Sequence, residues 1–346
     1  MTTPAQPSPA LFFETMNAYQ RTAALKGAIE LDLFTAIGEG STTAIELAKR
    51  CKASGRGIRI LCDYLTVIGF LTKQDGRYGL TPDSALFLDR RSPAYLGAAT
   101  RFLASPTSHA AFEDVAELVR KGTTLLAGDG MTAPEHPQWV EFARGMAPLM
   151  LMPAEGIARI LSEKEAGQDT AREASGEWKV LDIAAGHGMF GITLAKQNPK
   201  AQITALDWRN VLVVAQENAQ AAGVAARYRT IAGSAFEAEM GTDYDVVLLT
   251  NILHHFDVAT CEALLTRVHA ALAPGGRAVI LEFVPNDDRV SPPQAATFSM
   301  MMLGMTPAGD AYTFRELESM CRNAGFPSAK LYPLEGHPEA VVVAVK

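Results

Sequence analysis

Val180-Leu-Asp-Ile-Ala-Ala-Gly-His-Gly-Met-Phe-Gly191 is an apolar run that enters a glycine-rich turn and leaves it as a helical pattern. A strand buried on both faces reads as such a run, and a helix that follows directly presents free N–H groups at its start. Gly186 and Gly188 let the backbone approach a ligand where a Cβ would clash. Open α/β sheets bind ligands at the carboxyl ends of their strands, so this turn is the expected ligand edge. The spacing Gly186-x-Gly188-x-x-Gly191 also fits the dinucleotide fingerprint, with Asp207 as its ribose-binding acid. The turn alone leaves a nicotinamide dinucleotide and S-adenosylmethionine both open.

Outward from the turn, the apolar runs Val180–Ala184, Ile203–Leu206, Val246–Leu249 and Ala278–Phe283 alternate with helical segments. That alternation predicts an α/β, Rossmann-like domain with a parallel sheet. Ala329–Leu334 and Ala340–Val345, around Gly336-His-Pro338, predict a closing antiparallel pair. Upstream, Glu163–Glu177 is polar and predicts an exposed linker, and residues 93–163 are mostly helical between prolines. Apolar residues recur at helical spacing from Leu11 to Ile37, and Ser41-Thr-Thr43 stands where an N-cap belongs. A further helix is expected from Ser54 to Phe70. Asp75-Gly76 between two short extended pieces predicts a hairpin. Three helices and a hairpin make a winged-helix module. The expected division is therefore 1–100, a helical bridge 101–165, and a catalytic domain 166–346.

The 346 residues are 48% hydrophobic and 20% charged, enough for a large core, with a net charge of −7. An acidic total argues against a nucleic-acid or anionic-membrane surface. Cys51, Cys62, Cys261 and Cys321 are scattered, so neither a metal site nor a disulfide framework is expected, and a reducing cytoplasm fits. The proline-rich start reads as a frayed tail rather than a signal peptide, and no apolar run is long enough to span a membrane.

Three features favour S-adenosylmethionine over the dinucleotide. Asp182 lies on the strand, where a carboxylate suits a cationic amino-acid end. Leu272-Ala-Pro-Gly-Gly276 leads into the strand Arg277–Phe283, and the chain ends in the apparent antiparallel pair. Each resembles class I methyltransferases. Asp207 at the end of the second strand can accept both ribose hydroxyls, and Trp208 beside it can cover the adenine. Gly233-Ser-Ala-Phe236 should end the third strand, with Phe236 near the adenine and Ser234 as a polar contact. Ala184, Gly186, Gly188 and Thr250 complete the expected cofactor contacts.

Over nearly the whole chain the sequence resembles the small-molecule O-methyltransferases of the caffeate and hydroxyindole type and their bacterial relatives. The resemblance implies an N-terminal dimerisation domain. The helices of residues 10–100 also carry more apolar surface than a small domain can bury alone, so a homodimer is expected there, with Phe12, Met16 or Tyr19 approaching the partner's active site. The family's cofactor turn, Asp-x-Gly-Gly-Gly-x-Gly, is Asp182-Ile-Ala-Ala-Gly-His-Gly188 here, and an acid after the third strand in plant members is Ser234. The catalytic stretch Ile-Leu-His-Asp-Trp is Ile252-Leu-His254-His255-Phe256, which places the family's general base on His254. One acidic partner of that base matches Glu282; the other falls on Ala311.

A sulfonium methyl is already activated, so catalysis needs alignment, and for a phenol a base near neutral pH, which imidazole supplies. Only one of His254 and His255 can easily face the pocket, and His254 is the expected one. Phe142, Met146, Met150, Phe298 and Met302 are the expected substrate contacts, flexible and apolar enough for an aromatic acceptor. Carbon or nitrogen methylation, or a relative that holds the cofactor without transferring its methyl, stays open while Ala311 replaces an acid. A winged-helix nucleic-acid-binding regulator is the rival of another class. Its would-be recognition helix carries Arg56 and Arg59 but is otherwise apolar, which suits burial in a dimer.

Overall fold

Asp75 and Gly76 take φ values of 48° and 74°, the pair of positive angles that a two-residue hairpin loop requires. They join β1 (Leu71–Gln74) to β2 (Arg77–Leu80). The structure, a computed structural model, describes residues 6–162 and 176–346. It falls into two units, Met1–Ala104 and Ser105–Lys346. The polar stretch Glu163–Glu177 lies almost wholly outside the described residues, as does the start of the N-terminal tail.

In the first unit the helices Ala10–Met16, Ala18–Glu30, Leu33–Gly38, Ala44–Arg50 and Gly55–Val67 precede the hairpin. The single pattern expected from Leu11 to Ile37 is thus three helices. Asp32, at φ 56°, breaks the last of them away. Thr43 and Glu46 form a reciprocal capping box, and Ser54 accepts the Gly57 N–H, so both following helices start where their caps dictate. Phe34, Leu47, Ile58, Leu65 and Tyr78 form the core of this unit. The first helix buries none of its residues: Leu11, Phe12, Phe13 and Met16 are each more than half exposed.

In the second unit, among the described residues, seven strands form one sheet. They are β3 (Lys179–Ile183), β4 (Gln202–Asp207), β5 (Tyr228–Ala232), β6 (Tyr244–Thr250), β7 (Leu272–Glu282), β8 (Ala329–Pro333) and β9 (Ala340–Val345). The order is β5-β4-β3-β6-β7-β9-β8. β3 to β7 run parallel, and β9 is antiparallel to both β7 and β8, which is the expected closing pair. β7 begins at Leu272, earlier than expected, and a register irregularity opposite Tyr244–Val246 admits its Pro274-Gly-Gly276 segment. A Cβ on Gly276 would stand 2.8 Å from the Tyr244 carbonyl oxygen, so only glycine fits there.

All seven residues of β6 are buried. Side-chain alternation sends Val247 and Leu249 to one face with Leu264, Ile280 and Phe326, and Val246 and Leu248 to the other with Ile157, Ile192 and Leu281. The strand order reverses at β3 and β6, and that switch point opens a crevice at their carboxyl ends. Among the described residues no helix is long and apolar enough to cross a membrane, and no cluster of metal-ligating side chains occurs.

Candidate active site

β3 ends at Ile183, and the chain turns sharply through Ala184 (φ 53°), Gly186 (57°) and Gly188 (75°) before the helix Met189–Gln197. The Gly188 N–H closes the turn on the Ala185 carbonyl at 2.7 Å. Asp207, at the end of β4, accepts the Gly186 N–H at 2.7 Å and the Trp208 N–H at 2.6 Å, one on each carboxylate oxygen. Burial pushes its pKa up to about 6 against those two donors. A carboxylate retains acceptor capacity beyond those two donors.

A cavity of about 360 Å³ opens over this edge. Of the residues expected at the cofactor, Ala184, Gly186, Asp207, Trp208, Gly233, Ser234, Phe236 and Thr250 line it. Gly188 stands behind the turn against Tyr228 and Ala215. Asp182 does not line the cavity either. It is fully buried beneath the turn, where Oδ2 accepts the Gly191 N–H at 3.2 Å and Oδ1 has no partner. Burial raises its pKa to about 7.

Among the described residues the charged side chains of the lining are acidic, Asp129 and Asp207, and no lysine or arginine contributes to it. Acidic side chains suit a cationic sulfonium, and no cationic side chain is present to offset the charge of a dinucleotide pyrophosphate. Apolar faces from Leu206, Trp208, Phe236 and Phe256 supply room for a purine. The residues present therefore fit S-adenosylmethionine.

Beside the cavity, β6 runs into a single 3₁₀ turn, Leu253–His255. Glu282, the last residue of β7, reaches across to it. Its Oε1 accepts the N–H groups of Ile252, Leu253 and His254 at 3.1, 2.8 and 3.4 Å, while Oε2 bonds His254 Nδ1. Three N–H donors converge on Oε1 and Oε2 faces Nδ1, so the Nδ1 side of the ring is engaged while, among the described residues, no protein hydrogen bond engages Nε2. Burial keeps the His254 imidazole well below its ordinary pKa, with the Glu339 carboxylate opposing, and drives Glu282 upward. Phe298, stacked on Phe283 at 3.9 Å, presents its ring to His254 at 4.9 Å.

Of the two adjacent histidines, His255 lines the cavity, because the bond to Glu282 draws the His254 ring toward β7. The His255 ring meets Trp139 edge-on at 5.2 Å, its Nδ1 is buried without a partner, and burial holds it neutral. Among the expected substrate contacts, Phe142 lines the cavity. Met150 reaches the Asn251 amide with its sulfur at 3.7 Å, Met302 is buried, and Met146 is half-buried; none of these three lines it. Ala311 is fully buried, with no polar group to offer the base. Asn251, a cavity residue at φ 57°, was not among the expected contacts. Asparagine tolerates that conformation, but nothing in the local pattern marks it.

Comparison with known proteins agrees with this geometry. An O-methyltransferase domain model matches residues 170–327, and an O-methyltransferase dimerisation domain model matches residues 13–90. The 3-hydroxy-5-methyl-1-naphthoate 3-O-methyltransferase of Streptomyces sahachiroi is 30% identical over 325 residues, 94% of this chain and 91% of that protein. The tetracenomycin polyketide synthesis 8-O-methyl transferase of Streptomyces glaucescens is 28% identical over 95% of this chain and 94% of its own length. A crystal structure from Nostoc punctiforme, provisionally assigned as an O-methyltransferase, is 52% identical, with a TM-score of 0.92 over 99% of this chain and 100% of that one. Human N-acetylserotonin methyltransferase, solved with S-adenosylmethionine, shares the fold at a TM-score of 0.84 and 19% identity over 100% and 99% of the two chains. The chain belongs to the S-adenosylmethionine-dependent O-methyltransferases that pair this catalytic domain with an N-terminal dimerisation domain.

Proposed function

We propose that this enzyme methylates a hydroxyl of an aromatic or polyketide-derived small molecule, with His254 as general base. The observation that carries the reading is the buried His254–Glu282 pair, with Nδ1 tied down and Nε2 free, beside a cavity without cationic side chains. The two Streptomyces relatives, named for a hydroxynaphthoate and for polyketide synthesis, support the acceptor class. When bound, the cofactor supplies a methyl group on a positively charged sulfur. The chain's own residues then position and deprotonate. Asp207 holds the ribose hydroxyls, and Trp208 and Phe236 flank the adenine, while Ala184, Gly186, Gly233, Ser234 and Thr250 shape the rest of the cofactor bed. Phe298 and Phe142, with Met146, Met150 and Met302 around them, bound the acceptor's apolar faces. Nε2 of His254 takes the hydroxyl proton, and Glu282 steadies the imidazolium that forms. The exposed apolar face of the first helix is covered by a second copy of the winged-helix-like unit in a homodimer.

His254→Ala is expected to slow single-turnover methyl transfer by about 10²–10⁴-fold, the usual worth of a positioned base. Cofactor affinity should hardly change. The deficit should shrink as pH approaches the acceptor phenol's own pKa, about 10 when unperturbed, because solvent then delivers the phenolate. A wild-type rate at neutral pH in this variant would overturn the assignment.

A further inference from the structure

His187 is the one side chain larger than a methyl group between Ile183 and Met189, and it sits between two glycines of positive φ. It is 3% exposed and lines the cavity. Its Nδ1 accepts the Met189 N–H at 3.1 Å, and its carbonyl accepts the Asn218 amide at 2.8 Å, which fixes the residue on both sides. A ring nitrogen that accepts a hydrogen bond carries no proton, so the neutral ring bears its proton on Nε2. Burial lowers the pKa to about 4, so the ring stays neutral across the physiological range. Nε2–H is therefore a fixed donor, and among the described residues it has no protein acceptor. The helix Met189–Gln197 begins directly after it; the Met189 N–H is taken by His187 Nδ1 and the Gly191 N–H by Asp182, which leaves the Phe190 N–H at the helix start.

The cofactor carries one anionic group, the carboxylate of its amino-acid end. No cationic side chain in the lining is available to that group. Asp207 is an acceptor and needs hydroxyl donors, so it cannot serve the carboxylate. We propose that His187 binds the carboxylate of S-adenosylmethionine through Nε2–H, acting together with the start of the helix Met189–Gln197. A neutral donor does this without repelling the sulfonium a few ångströms away, as an arginine would. The assignment rests on the cofactor reading above.

The test is calorimetric binding of S-adenosylhomocysteine and of its decarboxylated analogue, which keeps nucleoside, sulfur and amine. The proteins are wild type, His187→Ala and His187→Gln, with melting temperatures recorded alongside. A hydrogen bond to a charged group leads us to expect about a tenfold or greater loss of S-adenosylhomocysteine affinity in His187→Ala. The decarboxylated analogue should bind both proteins alike, and His187→Gln, which retains an N–H donor, should recover part of the loss. Equal losses for both ligands, or no loss for either, would overturn the proposal. If His187→Ala does not fold, His187→Gln decides it: selective weakening of S-adenosylhomocysteine supports the role, and weakening of both ligands alike refutes it. Failure of the wild type to bind S-adenosylhomocysteine would instead refute the cofactor reading itself.

Discussion

Ala184 is where the cofactor turn carries its strain, since φ 53° places a Cβ in a region that glycine occupies freely. Ala184→Gly removes a left-handed penalty of roughly 1–2 kcal/mol but loosens the unfolded chain by about 0.4–1 kcal/mol. The net expectation is a gain of about 0.5–1 kcal/mol, read from the denaturation midpoint. Beneath the same turn, the buried carboxyls of Asp182 and Asp207 have pKa values of about 7 and about 6, above the ordinary 3.8. Between pH 4 and pH 7 the folded protein thus keeps protons that the unfolded chain has released, so their contribution to stability falls as pH rises through that window. Asp182→Asn mimics the protonated form. Its melting temperature relative to wild type should be higher at pH 8 than at pH 5, and a pH-independent difference would contradict the shift. At this scale the chemistry of Gly186 and Asp207 was legible, because turn geometry and strand-end carboxylates leave a pattern in the chain. The direction in which His254 and His255 turn was not, because it depends on Glu282, 28 residues away and reached only through β6–β7 pairing.

The strands of the sheet announce themselves when both their faces are covered, as Val180–Ile183 and Val246–Leu249 do. β5 is legible only from its flanks: it lies at the sheet edge, half of it is accessible, and Arg229 and Thr230 interrupt any apolar run. The segment between the helix Phe298–Met305 and the helix Phe314–Asn323 has no regular structure, yet it braces the catalytic turn. Tyr312 donates its hydroxyl to the Phe256 carbonyl at 2.5 Å, and a Cβ on Gly309 would stand 2.2 Å from the His254 carbonyl oxygen. Gly309→Ala must therefore displace the backbone that carries His254, the proposed base. We expect about a 10–100-fold fall in transfer rate, since small misplacements of a reacting group are costly. S-adenosylhomocysteine affinity should stay near wild type. Unchanged turnover in this variant would show that the turn yields without moving the imidazole.

On the scale of the whole chain, the change of grammar from helices to alternating strands and helices falls after the polar stretch Glu163–Glu177, whereas the chain divides into its two units at Ala104 and Ser105, a boundary set by packing. The apolar surplus of the N-terminal helices was legible in the sequence, and the first helix carries it as exposed surface, whereas its separation from the helix Ala18–Glu30 was not legible, because periodicity reports a face and not a break. Leu11 at 75% exposed and Tyr19 at 70% are large apolar surfaces for a free monomer. Sedimentation at micromolar concentration should return a dimer, and Phe12→Asp with Met16→Asp should shift it toward monomer; a monomeric wild type would refute the interface. The fully buried central strand β6 has a different consequence, one of timescale. Backbone amides enclosed on both faces and paired on both edges exchange with solvent deuterium only when the domain opens globally. The turn Leu253–His255 thus continues from a strand whose amides are expected to exchange only when the domain unfolds.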